Sequence, residues 1–373
     1  MGYRVGALES VGKVIDRDFW AGKRVLVTGH TGFKGSWLWI WLDQLGVELT
    51  GFSLGPPTDP SLFVEADLDR LGASITGDVR DAEAVSSAFR SAQPEIVLHL
   101  AAQPLVRASY DDPVATFATN VLGTVNVLEA ARNCSSIRAL VNVTTDKCYE
   151  NREWVWGYRE NEPMGGRDPY SASKGCSELV TSAYRQTFFA GGQVALASAR
   201  AGNVIGGGDW AADRLVPDTV TAFAQERAVT IRNPHAIRPW QHVLDPLWGY
   251  LVLAERLCAG GDEYAEAWNF GPDDADAWPV ERVVAELARR WGPKARWHLD
   301  DSEQPHEASF LKLDTSKARG RLGWEPRWSL SEALDHTVDW YGAWRAGGNV
   351  LSLCRTQIEQ YTRQTGKAGA TGE

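Results

Sequence analysis

Arg24-Val25-Leu26-Val27-Thr28-Gly29-His30-Thr31-Gly32-Phe33-Lys34-Gly35-Ser36 is the stretch from which the rest of the chain is read. Residues 24–28 are a short apolar run that reads as a buried strand. Ser36 to Leu45 is strongly apolar and has helical length. The glycines at 29, 32 and 35 stand between the two. In a strand–turn–helix unit, such glycines let backbone N–H groups approach a pyrophosphate at the positive end of the helix. Thr28, Gly29, Thr31, Gly32, Phe33, Lys34 and Gly35 are therefore candidate dinucleotide-binding residues.

The pattern repeats outward from that unit. Val47–Leu54, Ala73–Gly77, Glu95–Leu100, Ala139–Thr145 and Val194–Arg200 read as further strands, with helical stretches between them. That alternation predicts an α/β fold: a doubly wound parallel sheet of the Rossmann kind, with a smaller mixed α/β substrate-binding lobe. The expected division is 20–202 plus about 238–258 for the dinucleotide-binding domain, and 203–237 plus about 259–350 for the lobe. Residues 1–19 and 351–373 are expected to be terminal extensions. A long helical pattern covers roughly residues 111–133; helices are expected over 213–225, 278–291 and 329–346, and lobe strands near 228–232 and 265–270.

An acid about 20 positions after the glycines would hold the ribose hydroxyls of NAD. Between Thr50 and Pro60 the only acid is Asp59, in a loop, so the choice between NAD and NADP stays open. Lys34 and His30 are available to neutralise phosphate. Asp78 and Val79 end the third strand and suit an adenine edge, although Asp78 equally suits the cap of the helix that follows. Leu100, Ala101, Ala102 and Gln103 follow the fourth strand, and their small side chains permit close contact with a cofactor. Asn120 lies in the 111–133 helix.

Asp168-Pro169-Tyr170-Ser171-Ala172-Ser173-Lys174 carries the chemistry. Asp168 and Pro169 suit a helix N-cap and its first position, which places Tyr170 and Lys174 on one helical face. A phenol is a poor base at neutral pH, and a fixed ammonium group beside it favours the phenolate. Tyr170 is then expected to take a proton from a sugar hydroxyl while hydride leaves the same carbon. Thr144-Thr145-Asp146-Lys147 stands at the carboxyl end of the fifth strand, the edge at which open α/β sheets place their sites.

The 373 residues allow about two domains, and the formal charge of −10 disfavours nucleic acid as a partner. Apolar runs are too short for a membrane span, and the first residues do not read as a secretory signal. The cysteines at 134, 148, 176, 258 and 354 lack metal-ligand spacing, so free thiols, no metal and a cytoplasmic location are expected. The 17 tryptophans are read mainly as packing.

Taken together, Thr28–Gly35, Leu100-Ala101-Ala102, Thr144–Lys147 and Tyr170 with Lys174 resemble the extended short-chain dehydrogenase/reductase family, and within it the nucleotide-sugar 4,6-dehydratases. Long strings, among them Gly29–Trp37, Asp146–Gly166, Arg200–Trp210 and Ile237–Val243, are most similar to the branch acting on CDP-glucose. The resemblance implies NAD as cofactor, CDP-glucose as substrate and a homodimer formed through the 111–133 and 170–190 helices. It implies that Tyr170 deprotonates the C4 hydroxyl, that hydride passes from C4 to the nicotinamide, that water is lost across C5 and C6, and that the hydride returns to C6. Lys174 would hold the nicotinamide ribose, Thr145 the C4 oxygen, and Asp146 would protonate the departing C6 hydroxyl. Lys147 stands where many such enzymes carry a glutamate base, so it either acts as a neutral base or stabilises the enolate as a cation while another group takes the proton; a plain Asp146–Lys147 ion pair is the competing reading. Asn203, Arg214, Arg238 and His306 with Glu307 are candidate contacts to the nucleotide sugar, and Arg107 and Gln103 are candidates to border the sugar and nicotinamide. For Arg214, ordinary surface solvation is the competing reading.

Overall fold

The computed structural model describes residues 15–300 and 310–364. Its centre is a seven-stranded sheet of β1 (Arg24–Thr28), β2 (Glu48–Ser53), β3 (Ala73–Thr76), β4 (Ile96–His99), β5 (Ala139–Val143), β6 (Ala195–Ala201) and β7 (Ala267–Phe270). The order is β7-β6-β5-β4-β1-β2-β3, and every pairing is parallel. The order reverses between β1 and β4, so their carboxyl ends diverge and open the crevice in which such sheets bind ligands.

Successive side chains of β1 point to opposite faces, and the packing follows that period. Val25 and Val27 join a cluster with Trp37, Trp39 and Trp41 of the helix α1 (Phe33–Gln44). Leu26 joins Val97, Leu140 and Leu196 in a cluster covered by the helices Ala82–Ala92 and Gly123–Arg132. Helices on both faces account for strands that are apolar on both sides. Eight tryptophans are fully buried, as expected of packing residues; Trp156, 68% exposed, is not.

Four expectations change. The strand near 265–270 is β7 at the edge of the main sheet, not part of the lobe; a short buried strand looks the same in either place. The helix expected over 111–133 begins at Pro113 and runs to Arg132 with one wider turn at Ala118–Leu122, while Val106–Asp111 is a separate helix before it. Pro113 has no N–H to continue the earlier helix, and Asp112 caps the next by accepting from the Ala115 N–H. Asp78 does not cap the helix after β3; Asp81 does, and Asp78 instead accepts hydrogen bonds from Arg80. Finally, residues 350–363 form a helix that buries Leu351, Cys354, Ile358 and Tyr361 against the core.

The smaller lobe is assembled from short strand pairs and the helices Leu215–Ala224, Val280–Trp291 and Leu330–Arg345. The helix Leu244–Gly260 returns to pack on β5 and β6, as read from the sequence. The five cysteines are free. Among the described residues, no acid, histidine and cysteine group could hold a metal, and no helix is long and apolar enough to cross a membrane.

Candidate active site

The glycine turn after β1 is shaped by backbone crowding. Gly29 has φ +75°, and a Cβ there would lie 2.7 Å from the Ala101 nitrogen. A Cβ on Gly35 would lie 2.1 Å from the Gly29 carbonyl oxygen. Gly32 meets nothing nearer than that same oxygen, at 3.4 Å, so its side of the turn is open. Gly32 is also the N-cap of α1, and no side chain caps that helix. The first N–H groups of α1 therefore remain available at the positive end of the helix dipole. This cradle fits a dinucleotide pyrophosphate.

The polar residues of the turn hold it in place. The Thr28 hydroxyl is hydrogen-bonded to His99 Nδ1 at 2.6 Å and accepts from the Ala101 N–H, joining β1 to the segment after β4. Thr31 is hydrogen-bonded to Ser53 Oγ and donates to the Leu54 carbonyl, joining the turn to β2. His30 is buried against Trp39 and Phe63 and paired with Ser74. Burial lowers its pKa to about 4, so it is neutral at pH 7 and does not supply the phosphate-neutralising charge expected of it. Asn120 accepts from the Gln103 N–H and donates to the Gln103 carbonyl and to Ser173 Oγ. It braces the Ala101–Gln103 segment against the Tyr170 helix. Val79 packs in the core beneath Gly123, and Asp78 is engaged by Arg80. No acid stands at the end of β2; Asp59 is on an exposed loop.

Asp168 caps the helix Pro169–Tyr184 by accepting from the Ser171 N–H, with Pro169 at the first position, as the sequence predicts. The helix brings Tyr170 to the end of β5, where its hydroxyl faces the Thr145 side chain. The Thr145 hydroxyl donates to Asp146 Oδ1 at 3.0 Å, while Asp146 Oδ2 is buried without a partner. A Cβ on Gly202 would come within 2.9 Å of that oxygen, so only glycine lets the chain beyond β6 pass there. Burial raises the Asp146 pKa, against the opposing charges of Lys147, Arg238 and Lys34. The result is a carboxyl group biased toward its protonated, proton-donating form.

Lys174 Nζ donates to the Val143 carbonyl at 3.3 Å, and burial lowers its pKa to about 8. Burial also pushes the Tyr170 phenol up to about 12. The expectation that Lys174 lowers it is not met in the protein alone, because losing water costs the phenolate more than the surrounding charges return. Lys34 belongs to the same cluster: burial, Arg214 and Lys174 lower its pKa to about 7, while Asp146 and Asp209 oppose them.

A family profile described as GDP-mannose 4,6 dehydratase matches residues 26–337. The chain belongs to the nucleotide-sugar 4,6-dehydratase family. It is 55% identical over 357 residues to a CDP-glucose 4,6-dehydratase of Salmonella typhimurium, covering 94% of this chain and 99% of that one. It is 26% identical to a dTDP-glucose 4,6-dehydratase of Xanthomonas campestris pv. campestris, covering 85% of this chain and 92% of that one. Among solved structures, a dTDP-glucose 4,6-dehydratase of Streptomyces venezuelae with NAD bound has a TM-score of 0.74 at 25% identity, covering 88% and 99% of the two chains.

In this dehydratase the arginines expected to meet the nucleotide sugar are anchored. Arg214, whose side chain is 31% exposed, is paired with the buried Asp209 at 2.9 Å. Arg107 pairs with Asp213 at 2.8 Å, linking the segment after β4 to the segment that carries Arg214. Arg238 lies within electrostatic reach of Asp146 and donates to the Ile237 carbonyl. The Asn203 carbonyl accepts from the Gln241 N–H. His306 and Glu307 lie outside the described residues. The sequence reading missed Asp209, which orients Arg214, and also Glu178 and Arg200, a buried ion pair at 2.7 Å. Glu178 was within reach of the same argument that pairs Tyr170 with Lys174, being one further turn along the helix.

Proposed function

We propose that the chain converts CDP-glucose to CDP-4-keto-6-deoxyglucose and water, with NAD as a cofactor that is regenerated in each turnover. The observation that carries this reading is the Thr145–Asp146 hydrogen bond at the end of β5, set beside Tyr170 and ending in an unpartnered carboxyl oxygen. It sets a proton acceptor for one hydroxyl beside a proton donor for another, an arrangement that a 4-epimerase has no use for. When bound, NAD supplies a hydride acceptor for C4 and donor for C6, together with a positive charge beside the phenol. Its phosphates would be held by the Gly29–Gly35 turn and its ribose by Lys174.

Tyr170 removes the C4 hydroxyl proton, and Thr145 orients that oxygen. The 4-ketone so formed acidifies the C5 proton. Asp146 delivers its proton to the C6 hydroxyl, so that the leaving group is water. Lys147 adjoins Asp146 in the chain; its amine takes the C5 proton, the ammonium so formed stabilises the enolate, and the proton returns to C5 as hydride reaches C6. Arg214, held by Asp209, and Arg238 bind the diphosphate, for which a guanidinium fork is suited. The test is incubation with CDP-glucose. The expected product is a 4-ketone that gives an alkali-induced chromophore; CDP-galactose without that chromophore would mean an epimerase.

A second copy of the chain is the partner this reading assigns to one face. Tyr110, Val114, Leu122 and Leu179 are apolar and more than half exposed on the 106–122 and 169–184 helices. Covering them in a dimer bundle removes that surface from water. Sedimentation should give twice the 41.0 kDa chain mass, and a monomer would remove this assignment. The free cysteines suit a reducing compartment, the cytoplasm.

A further inference from the structure

Behind the catalytic helix lies a buried polar network that the chemistry above does not use. Glu178 is one turn beyond Lys174 and 3% exposed. Its Oε1 accepts from the Thr144 hydroxyl at 2.5 Å, and its Oε2 accepts from Ser198 Oγ and Arg200 Nη2, both at 2.7 Å. Arg200 Nη1 in turn donates to the Tyr149 hydroxyl at 2.6 Å and to the Glu160 carbonyl at 3.0 Å. Tyr149 donates to Asn269 Oδ1 at 2.7 Å. The catalytic helix, the carboxyl ends of β5 and β6 and the segment after Asp146 therefore meet on one carboxylate and one guanidinium, and Tyr149 ties the edge strand β7 to them.

We propose that Glu178 is a positioning residue for the dehydration: it fixes the β5 end that presents Thr145 and Asp146, and it stands as the anion one helical turn from Lys174. This inference rests on the functional reading above.

The first half follows from connectivity. Thr144 directly precedes Thr145, its N–H donates to the Ala199 carbonyl, and its hydroxyl is locked by Glu178. A bond to each side of that residue leaves the Thr145–Asp146 turn little freedom, and small displacements of acid–base groups are costly in rate. The second half follows from charge. Burial alone would raise the Glu178 pKa, but Arg200 and the hydrogen bonds from Arg200, Thr144 and Ser198 outweigh it, so the group is ionised. That charge is the foremost one opposing the fall of the Lys174 pKa. The other titratable groups facing Lys174 are Cys148, whose pKa burial raises, His99, neutral through burial, and Lys34. Around Glu178 they are Arg200, Arg185, Cys148 and Lys174 itself. Glu178 is thus the anion that faces Lys174 from its own helix.

The test pairs two variants with the pH profile of kcat/KM for CDP-glucose. Lys174 acts as a cation, so its loss of a proton sets the alkaline limb. Glu178→Gln keeps the shape and removes the charge, and should move that limb to lower pH by about one unit. Thr144→Val removes only the hydroxyl, and should lower kcat by about tenfold with KM little changed and the limb unmoved. Because Glu178→Gln leaves Arg200 as a buried charge with a weaker partner, that variant can fail to fold; the Thr144→Val result then decides. A purely structural network would lower the melting temperature of both variants while leaving the alkaline limb and kcat at wild-type values, and that outcome overturns the proposal. If the wild-type chain yields no 4-ketone at all, the functional reading fails instead, which separates the two.

Discussion

Replacing Tyr170 by phenylalanine is expected to lower kcat by about 10³-fold or more, with equilibrium binding of NAD unchanged. The side chain is 8% exposed and its hydroxyl faces Thr145. Phenylalanine therefore preserves packing and removes only the group that accepts the C4 proton. Because burial pushes the phenol up to about 12, the protein on its own does not generate the phenolate. Activity must rest on charge that arrives with the ligands, so the pH dependence of the full complex should differ from that of the free protein. The rate is measured from 4-ketone formation, and turnover within tenfold of wild type would remove Tyr170 as the base.

The Asp146→Asn substitution carries the second large effect. Asparagine has nearly the same shape but has no acidic proton to give. Formation of the 4-ketone product should fall by about 10²- to 10⁴-fold, the range associated with loss of one general acid. Stability should move the other way. A carboxyl whose folded pKa is raised by burial costs stability in full above that raised value, and the cost disappears as pH falls below it. At neutral pH the variant should therefore melt no lower than wild type. A folded, fully active Asp146→Asn protein would show that the C6 hydroxyl receives its proton elsewhere; a loss of activity accompanied by a large loss of stability would point to a structural role.

What the sequence made legible was local. The strand–turn–helix at Arg24–Gln44 carries its own signals, namely the apolar run, the spaced glycines and the apolar helix. The cap at Asp168 and Pro169, and with it the Tyr170 and Lys174 face, could be read for the same reason. What stayed hidden depends on partners distant in the chain. β7 joins the main sheet by pairing with β6 across more than 60 residues, and nothing in Ala267–Phe270 names that partner. His30 reads as a possible cation until Trp39, Phe63 and Ser74 close around it. Tyr170 reads as activated by Lys174, because a spacing of four residues shows proximity but not the cost of removing both groups from water. Arg214 reads as a diphosphate contact or a solvated residue, and its partner Asp209 is not evident from the sequence.

The central claim is that one site both oxidises C4 and delivers the same hydrogen to C6 of the same hexose. The most direct test is to supply CDP-glucose deuterated at C4 and locate the label in the product. The account predicts deuterium at C6 of the CDP-4-keto-6-deoxyglucose, transferred within the molecule even when unlabelled substrate is present. Product with the C6 methyl free of label, or label exchanged into the unlabelled pool, would contradict it.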